Sequence, residues 1–130
     1  MTIIVAYAPR PEGRAAVDKG IELARRFEEH LIVVNAGPGG TASDPSLADT
    51  ADAEDIEKLL VASGVDAEFK QFVRGNSAVE EIEEMAERLQ ASLVIIGLRR
   101  RSPVGKLFLG STAQDLLLKV SCPVLAVKAG

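Results

Sequence analysis

Aromatic residues are scarce in this chain: 4% of the whole, with no tryptophan, one tyrosine and four phenylalanines. Few platforms exist on which bases could stack, and Lys+Arg 15 against Asp+Glu 19 gives a net charge of −4 that repels polyanions. Both features argue against general nucleic-acid binding. A single cysteine, Cys122, allows neither an internal disulfide nor a thiolate metal cluster within one chain, and fits a reducing compartment. With no neighbour in sequence to lower its pKa, it reads as a small packing residue. The lone histidine, His30, has no second histidine or cysteine near it and reads as a surface residue at a helix-to-strand turn. Long apolar runs are missing too. The longest are strand-sized, and the opening "MTIIVAYA" has neither a basic leader nor the length of a signal or membrane segment, so no membrane association and a cytoplasmic protein are expected.

What is there suits one domain over residues 1–130: 47% of the chain is hydrophobic, enough for a modest core. Apolar runs rich in β-branched residues recur at 2–7, 31–36, 67–73, 92–97 and 123–128, and read as five strands. Four are continuously apolar, as strands covered on both faces should be. The third, with Glu68, Lys70 and Gln71, looks half exposed.

Helical patterns fill every interval. Val17, Ile21 and Ala24, flanked by Ala16, Gly20, Leu23 and Phe27, form one apolar face of a helix from about Glu12 to Glu28. Ile56, Leu59, Leu60 and Ser63 mark a second helix, which Gly64 is placed to stop by taking the left-handed conformation. Its start has two readings: Asp44 as N-cap with Pro45 as first helical residue, or Thr50, which leaves a long loop from Gly37 to Asp49. Ser77 followed by Glu80 has capping-box spacing ahead of Val79, Ile82, Met85, Ala86 and Leu89. Ser111 followed by Gln114 repeats it ahead of Ala113, Leu116, Leu117 and Val120. The order βαβαβαβαβ with right-handed crossovers predicts an open, doubly wound α/β sheet with helices on both faces.

Ligands of such sheets sit beyond the carboxyl ends of the strands, where the strand order reverses. The candidate loops are 8–12 and 98–110, and the second holds Arg99, Arg100 and Arg101 in an otherwise acidic chain. Gly110 and Ser111 stand where the fourth helix begins, so backbone N–H groups and the positive end of the helix dipole face the crevice. A phosphate is the natural guest, since arginine matches its oxygens with paired donors. The alternatives are that the arginines form a solvated face or pair with acidic side chains, and that Ser111 only caps its helix. Two sharper motifs fail. A Walker loop needs glycine at Arg100 and Ser or Thr at Leu107, and "YAPRPEG" lacks the glycines of a dinucleotide fingerprint.

These residues resemble the universal stress protein family over essentially the whole chain. Nucleotide-binding members carry a glycine, two residues, a second glycine, nine residues, then glycine with serine or threonine. Gly97, Arg100 and Gly110-Ser111 reproduce that spacing with the second glycine replaced, and "GSTAQDLLLKVSCPVLAVK" is similar to the family's last helix and strand. The resemblance implies a Rossmann-like parallel sheet of order 3-2-1-4-5. It also implies ATP or another adenine nucleotide as ligand, with Mg only if carried by the nucleotide. The phosphates would lie at Gly97, near the backbone around Arg100, and at Gly110, Ser111 and Thr112. The adenosine would lie near Tyr7, Ala8, Pro9 and Asn35. Tyr7 has two roles open to it, stacking on a base or closing the core.

Two departures divide that expectation. ATP-binding relatives usually carry aspartate and glycine where this chain has Ala8 and Pro9, and Arg100 puts a side chain where a glycine leaves space. Either Arg99, Arg100 and Arg101 replace the lost contacts for a phosphorylated ligand, or ATP binding is gone and the protein works as a ligand-free homodimeric interaction module. The expectation is a non-catalytic stress-response protein whose ligand changes the surface that a protein partner meets. A hydrolase would need a base or a metal-binding carboxylate, and the two loops offer only Glu12, which suits the first turn of helix one. The last strand should lie at a sheet edge, and the resemblance implies a homodimer through Val124, Leu125, Ala126 and Val127.

Overall fold

The computed structural model describes residues 1–39, 45–101, 106–108 and 110–129; of Arg100, Arg101 and residues 106–108 it describes the backbone alone. The elements follow in the order β1 (Thr2–Ala6), α1 (Pro11–Phe27), β2 (His30–Ala36), α2 (Thr50–Ser63), β3 (Ala67–Phe72), α3 (Ala78–Arg88), β4 (Leu93–Arg101), β5 (Lys106–Phe108), α4 (Ser111–Lys119) and β6 (Val124–Lys128). Five strands form a parallel sheet in the order β3-β2-β1-β4-β6, which is 3-2-1-4-5 when only the parallel strands are counted.

The continuously apolar strands are the central ones. Ile3 and Val5 face a cluster with Val17, Ile21, Ile56 and Leu60 from α1 and α2. Ile4, Val94 and Ile96 point the other way, into a cluster with Ile82, Met85 and Leu116 from α3 and α4. Alternate residues of one strand therefore serve two cores, as double winding requires. The outer strand β3 has no fully buried residue, in keeping with its mixed sequence.

Helix ends follow local chemistry. Around α3, the Glu80 N–H donates to Ser77 Oγ at 3.2 Å, and the Ser77 N–H donates to Glu80 Oε1 at 2.9 Å, completing the capping box. Gly64 ends α2 at φ 76, in the left-handed region. The later of the two starts for α2 is the one adopted: Asp49 caps it by accepting from the Asp52 N–H at 2.9 Å. Pro45 lies in a turn instead, and Asp44 is outside the described residues.

Four expectations need correction. The expected loop 98–110 is in part a hairpin: β4 runs on through Arg101 and pairs antiparallel with β5, Arg99 opposite Phe108 and Arg101 opposite Lys106. Charge suggested a loop, but backbone pairing in a hairpin needs no apolar face. Residues 102–105 and Leu109 of that stretch are outside the described residues. Phe27, at the last turn of α1, is 61% exposed and does not join the buried face formed by Val17, Ile21 and Ala24. Ser111 is the first residue of α4, not its cap; Gly110 holds the cap position and no side chain caps this helix. His30 is the first residue of β2, and its ring nitrogens lie 3.0 Å from Asp66 and 2.8 Å from Glu68.

One buried charge escaped the sequence reading. Glu81, in the first turn of α3, is 2% exposed, and both its oxygens accept from Arg74 at 2.7 Å. Arg74 also lies over the Phe72 ring, 4.7 Å from its centre.

Candidate functional site

β1 pairs with β2 on one side and β4 on the other, so the chain winds in opposite directions from this pair. Beyond the carboxyl ends of β1 and β4 lies a cleft of about 320 Å³. Ala6 and Ala8 line it from the end of β1, and Arg10, Glu12 and Gly13 from the start of α1. Gly97 and Arg99 of β4 form a second wall, and Gly110, Ser111 and Thr112 at the start of α4 a third. Ser46 closes one side.

Two helix N-termini thus converge on one small space. Neither α1, whose N-cap position is Arg10, nor α4 has a side-chain cap, whereas α2 and α3 are capped by Asp49 and Ser77. In α4 the first helical bond runs from the Gln114 N–H to the Gly110 carbonyl at 2.9 Å. The N–H groups of Ser111, Thr112 and Ala113 have no acceptor within the helix and, with the dipole, favour negative charge there. Arg99 lies on the opposite wall, with Nε 3.6 Å from Oε1 of Glu12. Gly97 has a packing reason to be glycine: a Cβ would overlap the main-chain carbonyl of Glu12.

Sequence comparison and fold comparison agree on what this arrangement belongs to. The model of the universal stress protein family matches residues 1–128. A universal stress protein of Mycolicibacterium smegmatis is 47% identical over 126 residues, covering 97% of this chain and 96% of the relative. The chain belongs to the universal stress protein family. A universal stress protein of Archaeoglobus fulgidus superposes with a TM-score of 0.78 at 30% identity, covering 98% of each chain. A structure from the same organism, solved in complex with dAMP, superposes at 0.71 with 26% identity, again over 98% of each chain.

In this universal stress protein the expected site residues divide. Ala8, Gly97, Arg99, Gly110, Ser111 and Thr112 meet at the cleft; Tyr7, Pro9 and Asn35 do not line it. Tyr7 is a core residue, and burial, followed by the nearby Asp52, pushes its phenol pKa up. Asn35 is fully buried, and its amide is engaged with the protein itself. It donates to the carbonyls of Tyr7 at 2.9 Å and Ser46 at 2.7 Å, and accepts from the Ala48 N–H at 2.8 Å and Gln71 at 2.9 Å. Its part in the cleft is indirect: it fixes the segment that carries Ser46. The side chains of Arg100 and Arg101 lie outside the described set.

Arg10 and Ser46 are cleft residues that the sequence reading passed over. Arg10 lies inside the 8–12 loop and its charge was a usable signal; Ser46 carried none, since only the fold of the 45–49 segment brings it there. Cys122 is half-buried against the α3/α4 core, and burial raises its thiol pKa, which suits packing more than reactivity. Among the described residues no helix is long and apolar enough to cross a membrane.

Proposed function

We propose that the protein binds an adenine nucleotide or another small phosphorylated molecule in this cleft and holds it without turning it over. The observation that carries the reading is the convergence of two helix N-termini lacking side-chain caps on one space beside Arg10 and Arg99. An anion supplies what those ends lack, and a family relative solved with dAMP makes a nucleotide the first candidate. Mg enters only as carried by the nucleotide. Binding without turnover is favoured by the state of Glu12, the one carboxylate among the described cleft residues, which is paired with Arg99 instead of being free to activate water.

The test is a thermal-shift and calorimetric titration of the protein with ATP, AMP, cyclic AMP and inorganic phosphate, with and without magnesium. Saturable binding that raises the melting temperature supports the reading, because a ligand of the native state must stabilise it. Silence from all four overturns it. The second reading, a homodimeric interaction module that needs no ligand, draws on β6. That strand pairs with β4, and among the described residues no strand covers its other edge. Val124, Leu125 and Val127 are half-buried against the cores while Ala126 is exposed, so a second copy would pair through the backbone edge. Sedimentation of the unliganded protein as a dimer would favour it; a monomer would remove it.

A further inference from the structure

A phosphate site is expected to present positive and neutral groups, yet this cleft contains a carboxylate. Glu12 lines it with its side chain 13% exposed, facing Arg99 across 3.6 Å. Its position is built in at the backbone. Pro11 opens α1, which makes Glu12 the second helical residue, where the dipole favours a negative charge. The missing Cβ of Gly97 lets the main chain of Glu12 lie directly against β4, so the carboxylate stays at the cleft wall. In a space of about 320 Å³, any bound anion is within roughly one Debye length, ~8 Å, of that charge.

Resting on the phosphorylated-ligand reading above, we infer that Glu12 sets the charge of the ligand the cleft accepts. It disfavours each added negative charge, so a phosphodiester or phosphomonoester is preferred to a free triphosphate. Among the described residues the positive side of the balance is limited. Arg10, Arg99 and two helix ends attract the first phosphate, and Arg99 is already partly neutralised by Glu12. Among the described residues, further phosphates find these donors already engaged by the first, while each adds its own repulsion from Glu12. At the effective dielectric of a protein surface, one like charge at such a distance weakens binding by on the order of tenfold. A divalent cation on the triphosphate would relieve the repulsion by neutralising the ligand.

The experiment is calorimetry at constant ionic strength without divalent metal, using cyclic AMP, AMP and ATP on the wild type and on Glu12→Gln. Glutamine keeps the shape and removes the charge. The expected result is a wild-type preference for cyclic AMP and AMP over ATP that shrinks about tenfold or more in the variant, with ATP gaining most. Preference is a ratio within each protein, so a loss of stability in the variant does not imitate the effect. On the unaltered protein, rising salt should narrow the preference; a preference for ATP that salt weakens would overturn the inference. If both proteins bind with the same ratio, selectivity by Glu12 is wrong while the nucleotide reading stands. If neither binds any of the three, the nucleotide reading falls and the selectivity with it.

Discussion

Gly97 in β4 and Glu12 in the first turn of α1 touch main chain to main chain, with no space between them for a methyl group. The glycine that marks the start of the family's nucleotide motif therefore has a packing role that needs no ligand. It lets the N-terminus of α1 reach the sheet beside the cleft, and so joins two of the cleft's walls.

Gly97→Ala should accordingly destabilise the fold by on the order of 1–3 kcal/mol, the usual range for forcing an extra carbon into a filled site. Urea unfolding would measure it. A midpoint equal to wild type would mean that the start of α1 shifts freely, and the contact would lose its significance.

Ser111→Ala should leave stability within about 0.5 kcal/mol of wild type, because Ser111 is the first helical residue and caps nothing. Ser77→Ala, which removes a working cap, should cost about 1 kcal/mol in the same assay. Binding of phosphate or nucleotide should respond in the opposite sense, falling in the first variant and holding in the second. Equal losses of stability would restore a capping role to Ser111.

Asn35→Leu fills a similar volume but strands the buried Ala48 N–H and Tyr7 carbonyl away from water and removes the tie to the Ser46 carbonyl. The expected loss is on the order of 3 kcal/mol, since each unpaired buried group costs about 1–3 kcal/mol and part of the segment can relax. Faster amide exchange around residues 45–49 should accompany it. Wild-type exchange there would show that the segment is held by other contacts.

Acid should destabilise the protein through Glu68 and Glu80, whose carboxyl pKa values both lie below the ordinary 4.5. Burial pushes Glu68 up, but its hydrogen bond to His30 and the neighbouring Lys70 outweigh that; Glu80 is lowered by the Ser77 N–H and hydroxyl. The unfolded carboxyls bind protons first as pH falls. The stability these groups add is therefore complete above about 4.5 and is lost as pH drops through the lower native values. Melting temperature against pH should show this decline, and Glu80→Gln should flatten part of it while keeping the cap. Superimposable profiles for variant and wild type would remove Glu80 from the account.

The elements that could be read from the sequence are those specified by close neighbours. The β-branched runs marked β1, β2 and β4, Ser77 and Glu80 announced the start of α3, and Gly64 the end of α2. Each signal acts over one to four residues and gives the same result wherever the segment sits. The doubly wound sheet followed from their order, because crossovers between parallel strands have one hand.

Contacts between distant segments carried no such signal. Ser111 and Gln114 have the spacing of a capping box, yet Gly110 takes the cap position and Ser111 is the first helical residue. Arg99 to Arg101 look like a solvated loop, yet they extend β4 because residues 106–108 supply the backbone partners. Asn35 looked available to a ligand until four groups, from Tyr7 just after β1, from β3 and from the 45–49 segment, closed on it. By itself the sequence determined the elements, their order and the place where a ligand would be sought, since periodicity and caps are short-range physics. Only the tertiary structure decided which side chains enter that place and that Glu12 is among them, because membership of a cleft depends on where strand ends meet in space.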